Sequence, residues 1–131
     1  MNKIIILLLI ALMACNSNEI CMDVKTQTLH TVDNVAIIKL YLEEKEGVRV
    51  IKIEKRKGQE ASDLIRLAEI DTANYNIFEL GAGDNKIRNF SFTPNSTWNI
   101  DHTSIGDAAP RELSICIDAY GKIVSASKTC N

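Results

Sequence analysis

Asp101, His102 and Ser104 bring a carboxylate, an imidazole and a hydroxyl within four positions of one another. These types together carry out nucleophilic hydrolysis when base, orienting acid and nucleophile converge. Asp101 and His102 are chain neighbours, however, and neighbours on a strand point to opposite faces, so the trio converges only across a bend. No Gly-x-Ser-x-Gly run supplies a nucleophile on a strained turn. The expectation is a solvated Asp-His pair at a strand end, with His102 at the surface. Metal chemistry has less to work with. There is no Cys-x-x-Cys, His30 and His102 lie far from every cysteine, and Asp101, Asp107 and Asp118 lack EF-hand spacing. The residues therefore predict no catalytic site, no cofactor and no metal.

The strongest chemical signal is a thiol near the N-terminus. Met1-Asn2-Lys3 is followed by an unbroken apolar run from Ile4 to Ala14, then Cys15, then the polar Asn16-Ser17-Asn18-Glu19. One positive charge and a short apolar stretch fit an export signal. A membrane-spanning helix needs about 20 apolar residues, more than this run offers. The ending Leu12-Met13-Ala14-Cys15 resembles the lipobox of bacterial lipoproteins. The resemblance implies that the chain is cut before Cys15 and that this thiol is acylated. The body is then tethered to a membrane of the bacterial cell envelope through lipid on Cys15. Asn16 is not the Asp that retains some lipoproteins at the inner membrane, which points to the outer membrane. The organisation expected is a signal peptide over 1–14, a short linker over 15–19 and one domain over 20–131.

Export places the remaining cysteines, Cys21, Cys116 and Cys130, where disulfides persist. Three thiols permit one bridge. In Leu113-Ser114-Ile115-Cys116-Ile117-Asp118 the apolar residues share one face and Cys116 lies on the other. Cys21 likewise lies opposite Ile20, Met22 and Val24. Unpaired cysteines prefer burial, so two on solvent-side faces argue for pairing. Cys116 and Cys130 are not level across a hairpin turning at Tyr120-Gly121, because the residue opposite Cys116 falls near Ser125. The expected bridge is Cys21–Cys116, with Cys130 as the alternative partner.

Cleavage before Cys15 leaves 117 of the 131 residues, one domain's worth of chain, and takes the net charge from −2 to −3. Mild acidity gives no electrostatic footprint for nucleic acid. The one basic cluster, Lys52, Lys55, Arg56 and Lys57, contains Glu54 and reads as a solvated strand end.

Short strands dominate the pattern. Val35 to Leu42 and Val48 to Ile53 flank a charged, glycine-containing turn and predict a hairpin. The alternation slips within Val48 to Ile53, which suggests a bulge or a strand buried on both faces. Tyr75 to Leu80 and Lys86 to Phe92 predict a second hairpin; Thr97 to Thr103, Glu112 to Ala119 and Lys122 to Ser127 are further strands. Ala61, Leu64, Ile65 and Ala68 share a helical face, so 59–70 is the one helix expected. Many short strands at this spacing imply an antiparallel β-sandwich or small barrel. Phe90-Ser91-Phe92-Thr93-Pro94-Asn95-Ser96-Thr97-Trp98-Asn99-Ile100 is similar to a run in fibronectin type III and immunoglobulin-like sandwiches. There a proline turn leads into a strand whose aromatic seals one corner. The resemblance implies an immunoglobulin-like sandwich in which Trp98 holds that aromatic position.

Three functions are consistent with this reading. The first is a lipid-tethered binding or accessory module with a protein partner and no catalysis. The second is an immunity lipoprotein that neutralises a toxin in the periplasm, since small, disulfide-bearing, lipobox-led sandwiches are similar to such proteins in general build. The third is a hydrolase centred on Asp101, His102 and Ser104.

Overall fold

The computed structural model describes residues 17–81, 83–106 and 108–131. The apolar leader, Cys15 and Asp107 lie outside the described residues. Ten strands follow one another: β1 Ile20–Asp23, β2 Thr28–Thr31, β3 Lys39–Glu44, β4 Val50–Lys55, β5 Leu64–Arg66, β6 Tyr75–Leu80, β7 Asn85–Ile87, β8 Thr97–His102, β9 Arg111–Ile117 and β10 Ile123–Ala126. They form a seven-stranded sheet in the order β10-β9-β8-β3-β4-β6-β7 and a three-stranded sheet in the order β1-β2-β5. Every pairing between named strands is antiparallel. The fold is the antiparallel β-sandwich that the strand pattern predicts.

Alternation builds the core. Leu40, Leu42, Ile51, Ile53, Ile77, Trp98, Ile100, Leu113 and Ile115 project from one face of the large sheet and are almost wholly buried. Ile20, Met22, Leu29 and Ile65 meet them from the small sheet as part of one cluster. Burying a side chain of this size contributes about 1.5–3 kcal/mol, so this layer dominates stability. Trp98 is fully buried in this layer. Its ring meets Phe90 and Phe92 edge-on at 6.0 and 5.3 Å, and its indole Nε1–H donates to Ser96 Oγ at 2.8 Å.

The expected hairpins form, β3 with β4 and β6 with β7, but β3 begins only at Lys39 and β7 ends at Ile87 rather than continuing to Phe92. The slip near Val48 is neither a bulge nor a doubly buried strand. Val48 is in the turn, 95% exposed, and β4 begins only at Val50, with an unbroken register to β3. The expected helix over 59–70 is also corrected. Exposure there alternates with a period of two: Leu64 is 42% exposed, Ile65 4%, Arg66 exposed and Leu67 2%. The open edge of β2 decides the matter, because Thr28, Leu29 and His30 pair with Arg66, Ile65 and Leu64. Backbone bonding to a waiting strand overrides a helical spacing that only four apolar residues support.

The cysteine pairing differs from expectation. Cys21 bonds to Cys130, and Cys116 is free and exposed. Both Cys21 and Cys116 do face away from the core, and Cys116 is level with Ser125 as the alternation predicts. They sit on different sheets, however, and the outward faces of a sandwich point in opposite directions. The tail after β10 crosses to β1 instead. Met22 N–H donates to Lys128 O and Cys130 N–H to Met22 O, both at 3.0 Å, and this short parallel bridge brings Cys130 beside Cys21.

The cross-link closes a loop of sequence separation 109. Cys130→Ser is expected to lower unfolding free energy by about 2–5 kcal/mol in urea denaturation. Cys116→Ser should leave it within about 0.5 kcal/mol of wild type, as for an exposed position. A non-reducing peptide map linking Cys21 to Cys116 would contradict the pairing.

Candidate functional site

His102 ends β8, level with Leu40 of β3 and Arg111 of β9. Its position on the core-facing side of the strand makes it fully buried, which corrects the expectation of a surface histidine. A buried imidazole needs partners on both nitrogens. Nδ1 lies 2.8 Å from the carbonyl of Asn18 and must donate, since a carbonyl only accepts. In the neutral ring Nε2 then accepts from the Ser104 hydroxyl at 2.7 Å. Ser104 reaches this point because the chain leaves the ladder after His102 and bends. Its Oγ accepts the backbone N–H of Ile38 at 2.7 Å and of Lys39 at 3.1 Å.

The bend therefore joins two members of the Asp-His-Ser trio, which strand geometry alone does not. Asp101 stays apart. It projects from the opposite face of β8, level with Tyr41 and Glu112. Burial, then Glu112, pushes its carboxyl above the usual range, with Glu43 adding to the rise and His102 opposing it. Ser104 Oγ already takes two backbone N–H groups while its proton lies on His102. The pair thus works as a latch that ties the segment entering β1, the start of β3 and the end of β8 together.

Asn18 completes the latch. It is fully buried, its Nδ2 donates to the carbonyls of Ile105, Ala108 and Ala109 at 3.0–3.3 Å, and its Oδ1 accepts from Ile105 N–H at 2.8 Å. Asn18, within the short linker expected over 15–19, is thus bonded into the folded body. Asn18 escapes sequence reading because nothing in Asn16-Ser17-Asn18 distinguishes one polar residue from the next.

Of the other residues considered, Asp118 shapes the β9–β10 turn, where its Oδ1 accepts from Tyr120 and Lys122 N–H. Among the described residues no three His, Cys, Asp or Glu side chains converge as metal ligands. Two recesses stand out. One, of about 640 Å³, lies over Tyr75 and is bordered by Asp63, Arg66, Glu69 and Asp71. Tyr75 is pinned at its base: its hydroxyl donates to Ile37 O at 2.8 Å and accepts from Ser62 N–H at 2.9 Å, and burial raises its pKa. The other lies on the outer face of the large sheet at the end of β7 and collects Arg56, Lys86 and Arg88. The basic cluster read as a solvated strand end is thereby divided. Lys52 lies over the Phe78 ring at 4.7 Å, Lys55 Nζ donates to the Arg56 and Gln59 carbonyls, and Arg56 lines a cleft. Lys86-Ile87-Arg88 alternates charged and apolar side chains, but nothing local says that it meets Arg56.

Comparison of the chain with protein-family models, with curated proteins and with solved structures finds no match.

Burial holds the His102 pKa below its ordinary value, against the Asn18 carbonyl and Asp101, which favour the charged ring. The unfolded chain, with a histidine pKa of about 6.5, binds this proton more readily than the folded one. The stability due to neutral His102 is thus fully present above about pH 6.5 and is lost as pH falls through the lower folded value. Asp101, shifted upward, gains stability as pH falls and opposes this loss, so the effect of His102 is read against a variant that keeps Asp101. Urea midpoints should fall from pH 7 to pH 5 in wild type and change less in His102→Gln; equal slopes would contradict the latch. Asn18→Ala, which leaves Ile105 N–H unpaired, should cost about 1–3 kcal/mol at pH 7 in the same assay.

Proposed function

We propose that this chain is a lipid-anchored protein of a bacterial cell envelope, most consistent with the outer membrane, that acts by binding a protein partner and not by catalysis. The observation that carries this reading is the lipobox-like ending Leu12-Met13-Ala14-Cys15, and the burial of Asn18 adds a direction to it. Only Asn16 and Ser17 separate Asn18 from Cys15, a span of at most about 10 Å. Acyl chains on Cys15 would therefore hold one end of the sandwich within about 10 Å of the bilayer.

That arrangement gives the domain a direction. The end carrying Asn18 also carries His102 and the start of β3. The other end carries the β3–β4 and β9–β10 turns, about 20 Å away for six-residue strands. Two large side chains stand nearly free there, Val48 at 95% and Tyr120 at 88% exposure. Apolar groups offered at the end remote from a membrane suit contact with a protein partner. Ser104, with both lone pairs engaged by backbone N–H groups, supports a structural reading of the His102–Ser104 pair.

Intact mass of the membrane-extracted protein tests the anchor. The expected species runs from Cys15 to Asn131, carries acyl mass and gains two hydrogens on reduction. Cys15→Ser should accumulate unprocessed and unacylated; if that variant matches wild type in mass shift and membrane partition, the anchor is wrong. Direction is read separately in vesicles containing brominated lipid, with Trp98 as internal reference. Val32→Trp, beside Glu19 at the anchored end, should be quenched more strongly than Tyr120→Trp. Equal quenching would refute the orientation.

A further inference from the structure

A cleft of about 440 Å³ opens on the outer face of the large sheet, where β4 ends, β6 begins and β7 ends. Arg56, Lys86 and Arg88 reach it together with Asn76, Thr72 and Asn89, and no carboxylate lines it. The sheet register makes this meeting unavoidable. Asn76 lies level with Glu54 on β4, and Ile77 lies level with Ile87 on β7, which brings Arg88 beside Asn76. Lys86 and Arg88 flank Ile87 and so share one face. Arg56 N–H bonds to Asn74 O and carries β4 one step further along the same corner.

Three cations gathered without a counter-charge repel one another, and a fold tolerates this most readily where an anion is expected. Among the described residues none of the three forms an ion pair. Glu54, the carboxylate level with Asn76, is engaged by Lys52 at 3.7 Å. A second, independent observation comes from two polar atoms in the cleft residues. Arg56 Nε, a donor, and Asn76 Oδ1, an acceptor, are both buried and have no partner among the described residues. Leaving such groups unpaired is costly, and each calls for an explanation.

We propose that this cleft binds the phosphate ester of a small polyol. The phosphate would accept from Arg56 Nε–H and sit among the three cations, as guanidinium geometry favours. A hydroxyl on the adjacent carbon would donate to Asn76 Oδ1. A simple anion satisfies the first atom and not the second; a neutral sugar satisfies the second and leaves the cations unbalanced. The cleft lies at the same end of the sheet as His102, since Lys39 is level with Glu54 and the next residue, Leu40, with His102. Two sources share this chemistry, a free glycerol or sugar phosphate and the glycerol-bearing headgroup of an anionic phospholipid. The choice of the headgroup rests on the anchoring reading; the cleft itself does not.

The test uses the full chain in a neutral detergent, followed by amide chemical shifts. Probes are glycerol 3-phosphate, inorganic phosphate, and short-chain phosphatidylglycerol set against phosphatidylcholine. Glycerol 3-phosphate or phosphatidylglycerol should move the amides of Arg56, Asn76 and Arg88. The triple variant Arg56→Gln, Lys86→Gln, Arg88→Gln should weaken that response about tenfold or more. The control Lys25→Gln, Lys45→Gln, Lys122→Gln removes the same charge from exposed positions elsewhere and should keep wild-type affinity. A response to glycerol 3-phosphate supports a free ligand, and one to phosphatidylglycerol alone supports the headgroup. No response to either, or equal losses in the two triple variants, would overturn the proposal. Trp98 emission checks that each variant is folded. Repeating the titration on Cys15→Ser separates failure of the cleft from failure of the anchor.

Discussion

A three-stranded sheet has to cover the apolar face of a seven-stranded one, and the backbone groups around its rim must all find partners. This constraint organises the molecule. Each side of the small sheet is fastened by a different polar device. At one end Asn18 O takes the His102 ring. At the other, Gln27 binds Ile123 through both atoms of its amide, donating to the carbonyl and accepting from the N–H at 2.8 Å. Along β1 the tail bridge and the Cys21–Cys130 bond close the gap to β10. Beside β5 the Tyr75 hydroxyl joins Ile37 to Ser62. Hydrophobic burial supplies most of the free energy, yet it is non-directional; these four contacts set where the small sheet sits.

The same need accounts for a histidine inside the core. A buried imidazole is tolerated only while both nitrogens are bonded and the ring is neutral. His102 meets both conditions by bonding to the segment before β1 and to the loop after β8, so its cost is offset by joining three parts of the chain. Ser104 carries the link on to β3. Two members of a trio with the composition of a catalytic site thereby fasten the chain, and Asp101 projects from the opposite face.

Fastening the entry to β1 has a consequence for the molecule as an object. If the chain is anchored at Cys15, the body cannot swing on a tether, and its two ends acquire different surroundings. The end near Asn18 carries the cationic corner of Arg56 and Arg88, suited to phosphate. The remote end presents Val48 and Tyr120, suited to apolar contact. Under the anchoring proposed above, one short buried polar residue would couple attachment to orientation.

Alternation along the chain was enough to give β1 and most strands of the large sheet, the sandwich and the outward direction of Cys21 and Cys116, because side-chain period is a local property of extended backbone; it gave neither β2 nor β5. The lipobox resemblance at Leu12-Met13-Ala14-Cys15 is local too. What the sequence did not hold was which surface each outward residue joins. Cys21 and Cys116 both point outward, but only the partition of strands into two sheets puts them on opposite sides and leaves Cys130 as the partner. The segment 64–67 became strand because β2 had an open edge. His102 was buried because β8 ended with that face inward, and Arg56 met Lys86 and Arg88 because β6 brought β4 and β7 together. Local pattern specifies direction; non-local pairing specifies neighbours, and both the latch and the cleft are made of neighbours.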